Sequence, residues 1–309
     1  MANQIKDHSK GAWAMMNNLG GIQWSQQNWE RVNRAVYLEC MRTEIASKFL
    51  PICGPMPDAL TIPSDTTEYS KQVSALKVDE AAVVPLIEIW VEFKLTPQQV
   101  ETEMDLGAAE TLAIYAARFL AAGQDTLIFQ GEEATRTNPL FTSKRVQFRS
   151  GPAGTGLFGA KLPKNQILTI PSLVPGKAVF RERTLAAVTK GISILQEKGQ
   201  YGPYVLILED GVFGDAHVSL PNTLIAASDR IKLLTDSGFF GTGTLPDEPA
   251  KGGLLLSLGG NTMDLVVGFD SNTAFLQEDE AGLYRFRVTK RFALRLKDDG
   301  AVIKLLFQV

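Results

Sequence analysis

The residue types that do chemistry are sparse in this chain. Its only histidines are His8 and His217, and neither has a cysteine or a paired carboxylate at ligand spacing nearby. A zinc site draws its ligands from clustered His, Cys and carboxylates. A Ser-His-Asp arrangement would have to recruit one of these two imidazoles. His8 lies in a polar N-terminal stretch and His217 in a turn-rich segment, so each reads as a surface side chain. Cys40 and Cys53 are too few for a disulfide framework and lack CxxC spacing; a single bridge is one option, reduced thiols the plainer one.

Gly154-Thr-Gly156-Leu-Phe-Gly159 fits G-x-G-x-x-G as a string. A dinucleotide site also needs a helix directly after it, with its N-terminus facing the pyrophosphate. Pro163 disfavours that helix. As a P-loop the stretch fails too, because Ala160 separates Gly159 from Lys161 and no Ser or Thr follows. A flexible loop is the expectation, with a nucleotide-using enzyme kept as a minor alternative. Glu209-Asp210 and Glu278-Asp279-Glu280 could in principle do acid–base work, but polar turns account for both. No catalytic constellation, cofactor site or metal site emerges.

The elements that would position any such site are clearer. The chain has 309 residues, 45% hydrophobic and 21% charged, with a formal charge of -3. That length exceeds what one core usually serves, so two or three lobes are expected. The charge gives no general pull toward nucleic acid, whose binding rests on Lys and Arg neutralising phosphates. The N-terminus lacks the apolar run of a secretory signal. The apolar stretch 81–95 is broken by Pro85, Glu88, Glu92 and Lys94, so it does not span a membrane. A cytoplasmic protein is expected.

Residues 1–28, polar and Gly-containing, read as an arm. Trp29, Val32, Val36 and Cys40 recur near helical spacing over 29–49, with Ser25 placed to cap the start and Pro51, Gly54 and Pro55 to end it. From 57 to 82 the chain is polar and cannot bury much of itself. It is either a mobile loop or an arm that becomes ordered against a neighbour. Ile87, Ile89, Val91, Phe93 and Leu95 then alternate with Glu88, Trp90, Glu92 and Lys94 as a half-buried strand. An alanine-rich helix is predicted over 101–124, loop-like sequence over 132–180, a second helix over 182–198 stopped by Gly199, and a buried strand over 204–208. Mixed, turn-rich sequence follows to Gly253, then strands at 254–258 and 263–267.

Residues 283–297 predict an unusually long strand. Tyr284, Phe286, Val288, Phe292, Leu294 and Leu296 share one parity, while Arg285, Arg287, Thr289, Arg291, Arg295 and Lys297 take the other. Lys290 interrupts the apolar parity and is expected to mark a bulge or bend. The aromatics lie opposite the arginines, so they would not stack bases on the basic face. Salt bridges, within the chain or to a neighbour, are the expectation there.

Five blocks in order resemble the encapsulins, which share the Hong Kong phage capsid fold. They are Trp29 through Lys48-Phe49-Leu50-Pro51-Ile52-Cys53-Gly54-Pro55, then Pro85-Leu-Ile-Glu-Ile-Trp-Val-Glu-Phe-Lys-Leu95, then Gln124-Asp-Thr-Leu-Ile-Phe-Gln-Gly131. Gly202-Pro-Tyr-Val-Leu-Ile-Leu208 and Gly259-Gly-Asn-Thr-Met-Asp-Leu-Val-Val267 complete the set. The resemblance implies an α+β, phage major-capsid-like fold. It also implies a division into an N-terminal arm (1–28), an N-terminal helix with the start of a peripheral domain (29–56) and an extended loop (57–84). A peripheral domain with its spine helix (85–139), a mainly axial domain (140–253) and a peripheral β region (254–309) follow.

What the resemblance implies about function is a shell protein, not an enzyme, that assembles with itself into a closed icosahedral compartment. In such shells a cargo protein docks a short C-terminal peptide between the N-terminal helix and the peripheral sheet, which here points to Val36, Cys40, Met41, Ala274 and Phe275. A pore at the fivefold axis would be lined by Leu220, Pro221, Asn222 and Thr223. No cofactor, membrane or nucleic-acid partner is implied. The rival of the same fold is a viral or prophage capsid protein that packages DNA, since fold alone does not choose between them.

Overall fold

The computed structural model describes residues 22, 24–68, 77–79, 82–149, 154–219 and 224–309. Ser25 starts the first helix as its position predicts: its Oγ accepts the Asn28 N–H at 3.2 Å, and α1 runs Gln26–Thr43. Its end comes well before Pro51. The Asp125 carboxylate takes the N–H groups of Ile45 and Ala46 at 2.7 and 3.0 Å, which draws the chain out of the helix into a single 3-10 turn, Ala46–Lys48. A distant side chain thus sets a boundary that local turn residues do not.

The helix predicted over 101–124 is displaced for a similar reason. Gly107, at φ 60°, breaks it, and the buried Glu103 carboxylate accepts the N–H groups of Ala109 and Glu110 to start α2, Ala108–Gln130. The far end runs past Gln124 because Leu127, Ile128 and Phe129 continue the buried face. It stops at Gly131, φ 74°. The third long helix, α3, spans Glu182–Glu197, and Gly199 beyond it has positive φ as expected of a helix stop.

Fourteen strands appear among the described residues: β1 (Ile52–Cys53), β2 (Thr61–Pro63), β3 (Thr66–Glu68), β4 (Lys77–Asp79), β5 (Val83–Pro85), β6 (Ile87–Leu95), β7 (Gln147–Arg149), β8 (Ile167–Pro171), β9 (Tyr204–Glu209), β10 (Gly238–Thr242), β11 (Lys251–Ser257), β12 (Met263–Glu278), β13 (Tyr284–Leu296) and β14 (Val302–Gln308). One five-stranded sheet has the order β1-β12-β13-β6-β7, and α1 and α2 pack on it. A second has the order β10-β9-β11-β14-β8, with α3 against it. Residues 254–309, expected as one β region, therefore divide: β12 and β13 build the first sheet, β11 and β14 the second. Hydropathy shows strands but not partners, so the split was invisible before pairing was known.

The loop-like stretches hold short elements whose ends are fixed by side chains. Asn138 Oδ1 accepts the Leu140 N–H to start the turn Pro139–Thr142. Glu209 accepts the Val212 N–H to start Asp210–Ala216. The glycine-rich stretch is a fixed turn, not a flexible loop. A Cβ on Gly156 would stand 2.4 Å from the Gly131 nitrogen, so the two backbones touch there. Leu157 beside it is fully buried, and Gly156–Gly159 makes one helical turn, followed by the 3-10 turn Lys164–Gln166.

Lys290 does not mark a bulge in its own strand. Pairing of β13 with β6 is continuous from Tyr284↔Leu95 to Phe292↔Ile87. The irregularity sits opposite, in β12, where Phe269 pairs with Arg291 but Asn272 with Thr289. Lys290 keeps the inward parity of Phe286 and Val288, and its Nζ lies 2.8 and 2.9 Å from the two Glu44 carboxylate oxygens, with Asp270 at 3.5 Å. Lys290 and Glu44 are both buried. Between the sheets and α1, residues 57–85 form two short antiparallel pairs, β2 with β5 and β3 with β4. Ile62 is the one buried apolar side chain among the described residues of this stretch, packed with Leu86, Val266 and Ala293.

Two predictions come from the junction at the end of α1. Lys290→Met alone leaves the Glu44 carboxylate buried without its cation, and should cost about 3–5 kcal/mol. Adding Glu44→Gln should recover most of that loss, read by urea denaturation of both variants. Asp125 is pushed up to about 7, chiefly by burial, with the Ile45 and Ala46 N–H groups pulling the other way. Its folded value lies above its unfolded one, near 4, so its contribution to stability is full below about pH 4 and is lost as the pH rises through 7. Glu39, held down to about 2 by hydrogen bonds from Arg42 and Arg118 against its partial burial, acts only at lower pH. In Asp125→Asn the decline between pH 4 and 7 should flatten; an unchanged slope in denaturation midpoints contradicts the assignment.

Candidate functional site

The helix α1 lies along β12, fixed by a hydrogen bond from the Thr273 N–H to Asn33 Oδ1 at 2.8 Å. Side chains four apart share one stripe of a helix, so Tyr37 and Met41 continue the Asn33 stripe along the same edge of β12. Both are exposed, at 43% and 56%, as is Leu38 beside them. On the strand, Phe275 pairs with Phe286 and so faces the helices, partly covered. Its ring packs 5.6 Å from Phe286 and 5.9 Å from Tyr284. The result is an exposed apolar strip of Tyr37, Leu38 and Met41 on α1, the helix that packs on β12.

The five residues singled out for docking fall into three positions. Val36 and Cys40 are buried in the core, with Cys40 Sγ directed to the Ala117 carbonyl of α2. Burial pushes the Cys40 thiol up to about 12, with the nearby Glu44 carboxylate adding to it, so it is a packed thiol and not a reactive one. Met41 is exposed on α1 and Phe275 is partly covered on β12. Ala274 pairs with Arg287 and therefore faces the opposite side of the sheet from Phe275, by strand alternation. Tyr37 and Leu38 are exposed because they lie off the apolar stripe that packs the core.

The outer face of the long strand is neutralised in place. Arg285 pairs with Glu92, Arg291 and Arg149 with Glu88, and Arg295 and Lys297 with Asp264. Burial alone would raise Glu88 and Asp264, yet the hydrogen bonds from these cations hold both carboxyls below the usual range. The expected salt bridges thus form within the chain. Arg295 also reaches Asp65, between β2 and β3, tying that stretch to the sheet.

The remaining candidates are structural. The Glu209 carboxylate caps a helix and pairs with Lys251, and Asp279 closes the β12–β13 turn by accepting the Ala281 and Leu283 N–H groups. His217 is exposed, stacked on Phe213 and Phe239 with centroids 4.5 and 5.6 Å away, and its Nδ1–H donates to the Phe213 carbonyl at 2.9 Å. Leu220, Pro221, Asn222, Thr223 and His8 lie outside the described residues. Ser219 and Ala226, which flank the first four, form one antiparallel bridge. Among the described residues, no group of three His, Cys, Asp or Glu side chains is arranged to hold a metal ion. No helix there is long and apolar enough to cross a membrane.

With this geometry in hand, comparison with known proteins gives a consistent picture. The Linocin_M18 family model, described as an encapsulating protein for peroxidase, matches residues 172–293. The type 1 encapsulin shell protein EncA of Myxococcus xanthus is 24% identical over 299 residues, covering 91% of this chain and 92% of that protein. Among solved structures, a virus-like particle from Pyrococcus furiosus aligns with a TM-score of 0.64 at 15% identity, over 90% of this chain and 98% of its own. The capsid of the myovirus XM1 aligns with a TM-score of 0.55 at 11% identity, over 85% and 91%. Two sheets, a spine helix and a two-stranded arm are thus arranged as in phage capsids, and in sequence the chain is similar to an encapsulin shell protein along nine-tenths of its length.

Proposed function

We propose that many copies of this chain close into an icosahedral shell in the cytoplasm, and that the shell holds a cargo protein. The observation that carries this is the arm of residues 57–85. It leaves the sheet as paired strands, with Leu60 73% and Val83 60% exposed at its base. A two-stranded ribbon is marginal by itself in water, and apolar side chains at its root gain by being covered. A second copy of the chain supplies that cover. The contact joins unlike surfaces, and a ring or shell closes when the rotation between copies is right. The relatives named as shell proteins favour a structural role over catalysis.

In this reading the first sheet with α1 and α2 is the peripheral domain, and the second sheet with α3 is the axial domain. Residues 57–85 are the extended loop. The exposed strip of α1 beside β12 receives the cargo's C-terminal peptide. Tyr37, Met41 and Phe275 touch the peptide, and Val36 and Cys40 form the packed floor beneath. The loop of Leu220, Pro221, Asn222 and Thr223 lines the pore at the fivefold axis. The pairing of each basic residue on the long strand with a carboxylate of this chain leaves little free charge for phosphates, which favours protein cargo over DNA.

Negative-stain electron microscopy of the purified chain should show uniform round particles; a folded single chain in light scattering rejects the shell. Leu60→Asp with Val83→Asp should abolish particles while leaving the thermal unfolding of the single chain nearly unchanged, because both side chains are exposed there. A particle whose absorbance ratio and nuclease protection reveal enclosed DNA would favour the capsid alternative. For docking, Tyr37→Glu with Met41→Glu should form shells that have lost the protein enclosed by the unmodified shells. Mass spectrometry of both, purified from the native host, measures the difference.

A further inference from the structure

A cleft of about 580 Å³ opens where the two sheets' lobes meet. One wall is α2, at Ala122 and Thr126, with the turn that follows it, from Asn138 to Arg145. The other is Gly243 and Thr244, just past β10 of the second sheet. The Gln130 Nε2–H donates to the Thr244 carbonyl at 2.6 Å and holds that loop against the end of α2. Small-molecule sites favour such junctions, and the volume falls within their usual span of about 300–1,000 Å³.

The polar groups of the cleft are unequally committed. The Thr126 and Ser143 hydroxyls donate to the Ala122 and Pro139 carbonyls, which leaves them lone pairs to offer a guest. Asn138 Oδ1 accepts the Leu140 N–H, so its amide nitrogen is the free end. Thr242 Oγ1 accepts the Thr244 N–H; with its own hydrogen turned onto Thr244 Oγ1, 2.7 Å away, it frees the Thr244 O–H to donate. Arg145 brings the one charge, and no carboxylate lines the cleft. Its guanidinium lies 5.6 Å from the centre of the Phe119 ring and pairs with no carboxylate among the described residues. Leu140, Pro139 and Ala122 complete the lining with apolar surface.

We propose that this cleft binds a small organic anion, a carboxylate or phosphate monoester on a short apolar body, with Arg145 holding the anionic head and Leu140 and Pro139 the body. A guanidinium fork matches the paired oxygens of either head group. Asn138 and Thr244 add neutral donors, and the lack of any lining carboxylate leaves nothing to repel the guest. A bound anion touches both lobes, so it stabilises their junction as any ligand of the folded state does. The cleft lies within one chain and does not depend on the shell.

Isothermal titration calorimetry of the full chain tests this with three probes that share one ring: benzoate, phenyl phosphate and the uncharged benzyl alcohol. At least one of the anions should bind once per chain with a Kd of about 1 mM or tighter, and benzyl alcohol at least about tenfold more weakly. Whichever anion binds more tightly identifies the preferred head group. Arg145→Gln should weaken that anion at least about tenfold, the usual effect of losing a charge-assisted hydrogen bond. Arg145 is exposed, so the unliganded melting temperature of this variant should match that of the unmodified chain. Lys161→Gln removes the same charge outside the cleft and should leave the affinity unchanged. Failure of both anions to bind, equal binding of the alcohol, or equal losses in the two variants overturns the proposal. Electron microscopy of the same samples keeps the two questions apart: missing particles count against the shell, whereas the titrations report on the cleft.

Discussion

An ammonium group and three carboxyl groups share the volume where α1 ends against α2 and β13. Lys290 reaches up from the sheet to Glu44 at the end of α1, Asp270 stands beside it, and Asp125 from α2 holds the two N–H groups that follow. Charges withdrawn from water are costly unless paired and hydrogen-bonded. Here the pairing requires three elements far apart in sequence to be in one place. The cluster contributes position more than net stability. It fixes where α1 stops, and hence where the chain turns toward β1 and the arm.

From that junction two surfaces take their geometry. On one side, α1 lies along β12 and leaves Tyr37, Leu38 and Met41 exposed. On the other, the chain passes β1 into the β2–β5 pair, and the Arg295 and Asp65 ion pair ties the stretch between β2 and β3 to the sheet. A shell subunit has opposing needs: a rigid plate that keeps its shape, and a limb that is completed only by a neighbour. The continuous β13–β6 pairing supplies the plate. The sparse burial of the described residues of 57–85 leaves Leu60 and Val83 exposed, which is the surface that the proposed shell contact would cover.

The glycine-rich stretch illustrates why motif strings mislead without their frame. Gly154, Gly156 and Gly159 have the spacing of a phosphate-binding turn. Yet Gly156 is glycine because the backbone at Gly131 approaches it too closely for any side chain. The same residue type answers two different constraints, close approach to a ligand or close approach to another strand of the chain. Only the fold distinguishes them.

The strands Ile87–Leu95 and Tyr284–Leu296, the Ser25 cap and the helix over 182–197 were legible in the sequence, because alternation, helical periodicity and capping are local signals. So was the poverty of residues 57–82 in apolar side chains. Tertiary structure alone decided the rest. Helix ends moved to where Asp125 and Glu103 offered acceptors from elsewhere in the chain. The last β region split between two sheets, and Lys290 turned inward to meet Glu44. Ala274 fell on the opposite face of its strand from Phe275. In each case the deciding partner lies many residues away, and a local pattern carries no record of which distant group will be near enough to bond.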